Sequence, residues 1–291
     1  MTIIAIFACL FAERFLSSLS GLRSFEWFHR YSQFVCNSLK TVHFKSGKAT
    51  VLIIVAFPAI VVGLIDQKLY QFFLPLEFLF STFVLLYCLG PQAFYDRSKA
   101  LCHAEDINDN SCASWYAEKI LDRPLERHEK INLPHIITQS LFTITNDRIL
   151  APIFWFILLG PMGAVLFRCS SQLYLRHHKN NEDEMLAQSI DFFYAILNWV
   201  PCRLSALGFA AMGNFSESLN RYTQVKGATF NLTQKSNELL LITMGSGAID
   251  LPEKPNETPP TKIAEALAIL RRNTQLWMGS IALFTLAGWL G

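Results

Sequence analysis

The chain has 291 residues, of which 52% are hydrophobic and 16% are charged, and its formal net charge is +2. Soluble domains usually carry about 25% charged residues, so this composition argues against a soluble protein and favours a membrane protein. The small net charge, without a basic cluster, excludes proteins that depend on a strong positive field, such as nucleic-acid-binding proteins. The seven cysteines show no C-x-x-C spacing. We therefore interpret them as reduced packing residues, and we expect no metal site and no cofactor.

Six apolar windows, taken in chain order, predict membrane helices. They are residues 1–22, 49–65, 78–94, 149–167, 192–212 and 273–291. The four windows beginning at 49, 78, 149 and 273 contain no charged residue, and at about 1.5 Å per residue they are long enough to cross a bilayer. The other two contain charge, which is costly in hydrocarbon. The predicted fold is an all-α, polytopic integral membrane helix bundle of four to six spans, with cytoplasmic helical loops.

The distribution of lysine and arginine predicts the orientation of these spans. Segments 23–48, 95–148 and 213–272 would lie on one side of the membrane and hold 19 of the 25 basic residues. Such an excess marks the cytoplasmic side, so we predict a multi-pass protein of the bacterial inner membrane. Residues 95–148 and 213–272 become cytoplasmic helical segments of a single domain, residues 1–291. Within them, four prolines and two glycines in residues 245–262 predict a flexible linker.

Several polar residues fall at membrane depth or at its edge. Glu13 and Arg14 lie inside the first apolar window, and neighbours on a helix do not face each other, so each needs another partner or lies in water. Asp191 and Asn198 are seven residues apart and share a helical face, and Pro201 and Arg203 follow them. An intramembrane arginine indicates a functional site by default. The alternative is an interfacial helix with its arginine exposed to water.

The triplet Asn146-Asp147-Arg148 precedes the window 149–167. An acidic residue at a helix start is favourable, and a helix start beside an arginine predicts an anion-binding site. Pro152 removes a donor that would otherwise bond back toward Arg148. The alternative is a capped span whose arginine reaches the interface.

Small and cyclic residues predict a packing kink in this region. Gly160-Pro161-Met162-Gly163 lies inside the window, and small residues let helices approach closely. The residues assigned to packing kinks are Pro152, Gly160, Pro161, Gly163 and Pro201.

Two stretches carry a resemblance to a known family: RILAPIFWFILLGPMGAVLFR at 148–168 and LNWVPCRLSALGFAAMGNF at 197–215. Together with Glu13-Arg14, they resemble the AmpE family of inner-membrane proteins linked to β-lactamase regulation. That family belongs to one superfamily with the CobD/CbiB-type proteins of the cobalamin pathway. For the cobalamin branch, the resemblance implies an amide-forming synthase that joins adenosylcobyric acid to an aminopropanol.

The two branches differ after the Gly-Pro span. The cobalamin branch usually continues there with a Thr-Leu-Asp-Ser-Met-like motif, whereas residues 169–176 of this chain read Cys-Ser-Ser-Gln-Leu-Tyr-Leu-Arg. The missing acidic residue argues against retained synthase chemistry and favours the AmpE branch. The leading hypothesis is therefore a non-enzymatic regulator of β-lactamase induction linked to cell-wall recycling, and the alternative is a CobD/CbiB-like amide-forming ligase.

Both hypotheses use one polar cavity at the cytoplasmic face. The candidate cavity residues are Glu13, Arg14, Asn146, Asp147, Arg148, Asp191, Asn198 and Arg203. In the regulator, the arginines would hold an anionic ligand such as a muropeptide or a nucleotide. The expected partners are the lipid bilayer and, through a functional link, a cell-wall amidase. In the ligase, the same arginines would bind a carboxylate or phosphate of the substrate.

Overall fold

The computed structural model describes residues 5–9, 25–41, 47–107, 109–180 and 184–288, and over these ranges the chain is helical without a strand. The all-α fold class is confirmed. The helices are α1 (Glu26–Thr41), α2 (Gly47–Phe72), α3 (Leu74–Cys88), α4 (Pro91–Asp106), α5 (Asn110–Leu121), α6 (Arg127–Ile131), α7 (Leu133–Thr145), a π-helical turn (Asn146–Leu150), α8 (Ala151–Asn180), α9 (Glu184–Met212), α10 (Phe215–Thr229), α11 (Gln234–Ala248), a 3-10 turn (Pro255–Glu257) and α12 (Thr261–Leu286). Glu13 and Arg14 lie outside the described residues.

Three helical stretches of the described chain are long and apolar enough to cross a membrane: Gly47–Phe72, Leu133–His177 and Glu184–Met212. The protein is therefore a helical membrane protein. The window 78–94 does not form one helix, because α3 ends at Cys88 and α4 begins at Pro91. The last window belongs to α12, which begins earlier, at Thr261.

The outer surfaces of α2 and α3 suit contact with lipid. Both helices expose large apolar side chains, which are unfavourable in water and typical of a lipid-facing surface. Examples are Leu52, Phe57, Leu64, Phe72, Leu79 and Phe83. The two helices form an antiparallel pair, in which Ser81 donates a hydrogen bond of 2.9 Å to Asp66. This bond gives a polar side chain a partner inside the pair.

The apolar window 149–167 does not cross the membrane as one straight helix. Gly160 has φ 63° and ψ −152°, a backbone conformation essentially restricted to glycine, and the chain reverses there. After the reversal, Gly163 packs so closely on Trp155 that a Cβ at Gly163 would lie 2.2 Å from the Trp155 carbonyl oxygen. Further from the turn, Ser171 donates to Asp147 at 2.9 Å. These contacts pair positions symmetrically about residue 159, so the two arms are antiparallel.

The π-helical turn at Asn146–Leu150 lies in the first arm of this hairpin. The N–H of Ala151 bonds to the carbonyl oxygen of Asn146, five residues back, instead of four. Pro152 follows directly, and its ring would clash with the carbonyl of Arg148 in a regular helix. The wider turn removes this conflict, and π-helical turns are frequent at functional sites.

The helices α9, α10 and α11 pack against this arm as an up-down-up unit. Asn237 of α11 donates to the carbonyl oxygen of Ala195 in α9 at 3.0 Å, and Ser218 of α10 donates to that of Met244 in α11 at 3.0 Å. Phe142 of α7 contacts Phe209 of α9, with ring centroids 5.2 Å apart. The polar residues of α9 and α11 therefore face the π-helical turn.

Part of the predicted linker is helical. The helix α11 continues to Ala248 through two glycines, and α12 begins at Thr261, so the stretch between them is shorter than 245–262. Within this stretch Leu251 is buried, and the Thr258 hydroxyl lies 2.9 Å from His135 Nδ1. The flexibility of this stretch, the cytoplasmic side assigned to 95–148 and 213–272, and the single domain stay predictions.

Candidate functional site

Asn146 is the centre of a buried amide network. Its side-chain amide donates to Asn198 Oδ1 at 2.8 Å, and Ser205 donates to Asn146 Oδ1 at 2.8 Å. Asn198 in turn donates to Gln234 Oε1 at 3.2 Å. All four side chains are almost fully buried, and they join the π-helical turn to α9 and α11. Asn146 and Asn198 were predicted from the sequence, whereas Ser205 and Gln234 were not.

Asp147 accepts hydrogen bonds from three side chains. Tyr194 donates to one carboxylate oxygen. Ser171 donates to the other at 2.9 Å, and Arg168 forms an ion pair with it at 3.5 Å. All three donors were missed by sequence reasoning. A signal existed only for Tyr194, which lies one helical turn before Asn198 on the same face of α9.

Two further carboxylates lie near Asp147. Glu238 of α11 and Asp191 of α9 come from different helices, and Glu238 interacts electrostatically with both Asp191 and Asp147. Burial raises the pKa of the Glu238 carboxyl, the hydrogen bond from Gln234 lowers it, and the two nearby carboxylates raise it further. Glu238 was not predicted, because no local pattern distinguishes it from a solvent-exposed residue of an amphipathic helix.

Two tyrosines form a wall beside these carboxylates. Tyr174 of α8 stacks on Tyr194 of α9, with ring centroids 4.8 Å apart and an interplanar angle of 30°. Tyr174 interacts electrostatically with Glu238, Asp191 and Asp147. The site therefore combines three acidic groups, two phenols and one ion-paired arginine within the bundle.

Arg148 and Arg203 lie in different environments. The neighbours that interact electrostatically with Arg148 are Arg168, Asp147, Asp122 and Arg97. Arg203 donates to the carbonyl oxygens of Trp199 at 3.0 Å and Thr229 at 2.8 Å, and its guanidinium stacks 3.7 Å from the centroid of the Trp199 ring. It also donates to Asn237 Oδ1 at 3.4 Å, next to the amide network, but among the described residues no hydrogen bond or ion pair joins it to Asp147, Asp191 or Glu238. The helix α9 passes through Pro201 with that residue buried.

A pocket of about 310 Å³ borders the site, and it is apolar instead of polar. It lies between α1, α2, α3 and α8, and Tyr31, Phe57, Tyr87 and Arg168 are among its lining residues. Within the described ranges, no group of three or more His, Cys, Asp or Glu side chains is arranged to hold a metal ion.

Comparisons with known proteins identify the family. The family model described as CobD/Cbib protein matches residues 6–251, which include every described residue of the site. The chain belongs to the CobD/CbiB family. Among similar proteins, a "Probable cobalamin biosynthesis protein CobD" from Thermococcus kodakarensis is 24% identical over 192 residues, covering 64% of this chain and 63% of that protein.

Other relatives carry the same description. The Archaeoglobus fulgidus protein, again a "Probable cobalamin biosynthesis protein CobD", is 25% identical over 62% of this chain and 59% of its own length. The "Cobalamin biosynthesis protein CobD" of Stutzerimonas stutzeri is 28% identical over 47% of this chain and 46% of its own length. The chain thus spans about three-fifths of the length of the first two relatives. No solved structure matches.

These comparisons correct the leading functional hypothesis. The prediction of an AmpE-like regulator of β-lactamase induction is wrong, because the relatives are named for cobalamin biosynthesis. The absence of an acidic residue in 169–176 was a poor basis for this prediction, because acidic groups from other helices surround that segment. A muropeptide or nucleotide ligand and a link to an amidase stay untested predictions.

Proposed function

We propose that this chain is a membrane enzyme of corrinoid metabolism that forms an amide between a corrinoid carboxyl group and the amine of an aminopropanol. The observation that carries the proposal is the family match over residues 6–251, because it spans both arms of the hairpin and α9 to α11. The curated relatives named as cobalamin biosynthesis proteins support the same pathway.

The chemistry of amide formation suits the groups around Asp147. The carboxyl oxygen must become a leaving group, so the proposal includes a nucleoside triphosphate that phosphorylates it, and phosphate leaves as the C–N bond forms. The attacking amine gives up a proton in this step, and a carboxylate with a raised proton affinity is a suitable acceptor. Asp147 is already held by three donors, which leaves Asp191 and Glu238 as the available carboxylates. Burial raises the pKa of Glu238 toward the working pH, so we assign the proton-accepting role to Glu238.

The absent acidic residue in 169–176 is compatible with this role. Ser171, which lies in that segment, donates to Asp147 at 2.9 Å. The acidic groups of this site therefore come from the π-helical turn, α9 and α11 in place of α8. On this proposal, the chain keeps the charge that the reaction needs but supplies it from other helices.

A growth assay tests the proposal. The chain is expressed in a bacterium that lacks its own CobD and needs cobalamin, supplied with either cobyric acid or cobinamide. We expect growth on cobyric acid and accumulation of cobinamide by mass spectrometry, and we expect Glu238→Gln to lower both. Growth on cobinamide is the control, because that compound already contains the amide. Failure on cobyric acid, with the protein present in the membrane at the level of the replaced relative, contradicts the proposal.

A further inference from the structure

Arg148 lies next to the site, but the proposed reaction gives it no role. It is partly buried, and among the described residues it forms neither a hydrogen bond nor an ion pair. The two residues before it are fully hydrogen-bonded, since Asp147 has three side-chain donors and Asn146 has two side-chain partners. Its nitrogen atoms are not among the buried, unbonded polar atoms of the described residues, so they are accessible from solvent. The guanidinium is therefore held at the edge of the site with its hydrogen-bond donors available to a ligand.

The charges around Arg148 indicate the sign of that partner. Arg168 and Arg97 both interact electrostatically with Arg148 and oppose its charge. Asp147 and Asp122 favour it, but Asp147 is ion-paired with Arg168. An arginine that merely reaches for water would be expected to avoid like charges. Three arginines from α4, the π-helical turn and α8 are thus opposed by only two aspartates, which leaves a net positive charge around Arg148.

The π-helical turn explains why Arg148 is available. In a regular helix, the Arg148 carbonyl would clash with the ring of Pro152, and the wider turn changes the direction of the side chains it carries. Asn146 and Asp147 then face α9 and α8, as their hydrogen bonds show. Arg148 instead interacts electrostatically with Arg97 of α4 and with Asp122 at the end of α5. The turn thus separates the acidic side of the site from a positively charged side.

We infer that Arg148, flanked by Arg97 and Arg168, is an oxyanion subsite that binds a carboxylate or phosphate group of a substrate. A guanidinium is suited to this chemistry, because its planar fork binds either group through two parallel hydrogen bonds. The assignment of this anion to a substrate rests on the proposed function. If the substrate carries this anion, the site has an anion-binding side at Arg148 and an amine-binding side at Asp191 and Glu238.

Arg203 supplies a matched control. Both arginines lie within four residues of a proline on apolar helices, but Arg203 has hydrogen bonds to two carbonyl oxygens and lies over the Trp199 ring. Its contacts are complete within the chain, so its role is structural. Arg203→Gln should lower the melting temperature without changing anion binding, whereas Arg148→Gln should abolish anion binding without a comparable loss of stability.

The test is thermal unfolding of the full chain in detergent micelles, with inorganic phosphate, pyrophosphate or acetate titrated against chloride at equal ionic strength. We expect a saturable rise in the melting temperature of the wild type with at least one of these oxyanions. Phosphate or pyrophosphate alone would identify a phosphate group, and acetate would identify a carboxylate. Arg148→Gln should weaken the apparent affinity about tenfold or more, as expected for a charge-assisted hydrogen bond, and Arg203→Gln should leave it unchanged.

Several results would overturn the inference. They are a wild type that responds to none of the oxyanions, an Arg148→Gln variant that keeps the response, and an Arg203→Gln variant that loses it while folded. If Arg148→Gln does not fold, Arg148→Lys keeps the charge but not the fork, and an unchanged affinity in that variant would reject the guanidinium assignment. Anion binding is measured without a corrinoid. A failed growth assay with an intact anion response would therefore reject the proposed function and leave an anion site.

Discussion

The reversal at Gly160 yields the most direct prediction, because the site depends on it. Substitution by alanine causes no steric clash, since no atom lies within 4 Å of a Cβ built at Gly160. Its effect is therefore confined to the backbone, which has φ 63° and ψ −152°. Holding a residue with a Cβ in this region costs about 1–3 kcal/mol. Gly160→Ala should lower the free energy of unfolding by that amount.

Gly279 is the matched control for this substitution. It also has no atom within 4 Å of a built Cβ, but it lies in the interior of α12 and has no positive φ. Gly279→Ala should stabilise the protein by about 0.5–1 kcal/mol, because alanine loses less backbone freedom than glycine in a helix. The two variants add the same methyl group in open space and differ only in the backbone conformation at the substituted residue.

The assay is thermal unfolding in micelles with a thiol-reactive fluorophore, which reports the exposure of buried cysteines such as Cys88, Cys169 and Cys202. At about 2 °C per kcal/mol for a large domain, Gly160→Ala should melt roughly 2–6 °C below the wild type and Gly279→Ala slightly above it. Equal shifts of the two variants, or a stabilised Gly160→Ala, would show that the chain does not reverse at Gly160. In that case, the contacts of Asp147 with α8 would not form.

Three further predictions test the packing around the site. Asn146→Ala and Asn198→Ala should each lower the free energy of unfolding by about 1–3 kcal/mol, because each leaves a buried amide without a partner. The loss in the double variant should be smaller than the sum of the two by about 0.5–3 kcal/mol. Strictly additive losses in denaturant titrations would exclude the network. Burial holds the pKa of Glu238 above its ordinary value of 4.5, so its ionisation opposes folding. The stability gained by Glu238→Gln should therefore be absent in acid and should grow as the pH rises toward neutral. A difference in melting temperature that does not depend on pH would contradict this. Gly163→Ala places a methyl group 2.2 Å from the Trp155 carbonyl oxygen and should destabilise the hairpin by about 1–3 kcal/mol; an unchanged melting temperature would show that the arms are not in contact.

The amide network and the charged site have different consequences for stability. Asn146, Asn198, Ser205 and Gln234 satisfy one another, so the network holds the π-helical turn against α9 and α11 without a ligand. Arg148 follows Asn146 of this network and Asp147, which has its own three donors, whereas Arg148 has no hydrogen-bond partner among the described residues. Two anchored residues directly before it suit a binding group, because a fixed backbone orients the guanidinium before the ligand arrives.

Local chemistry determined much of this fold from the sequence alone. Long uncharged windows require helices, because backbone polar groups in lipid must be paired within the segment. The bulge before Pro152 and the break at Gly160 follow from the geometry of those two residues. The membership of Asn146 and Asn198 in one network was accessible, since both are polar residues at membrane depth.

Only the tertiary structure decided which groups meet. The window 149–167 has the length of one span, yet it reverses, because composition does not distinguish a kink at Gly160 from a turn of the chain. Ser171, Tyr194 and Glu238 reach the site from 24 to 91 residues away from Asp147 along the chain, and no local periodicity relates them. Arg148 and Arg203 were assigned to one polar cavity from the sequence, but among the described residues only Arg203 has hydrogen-bond partners, because hydrogen bonds between distant segments depend on how the helices pack.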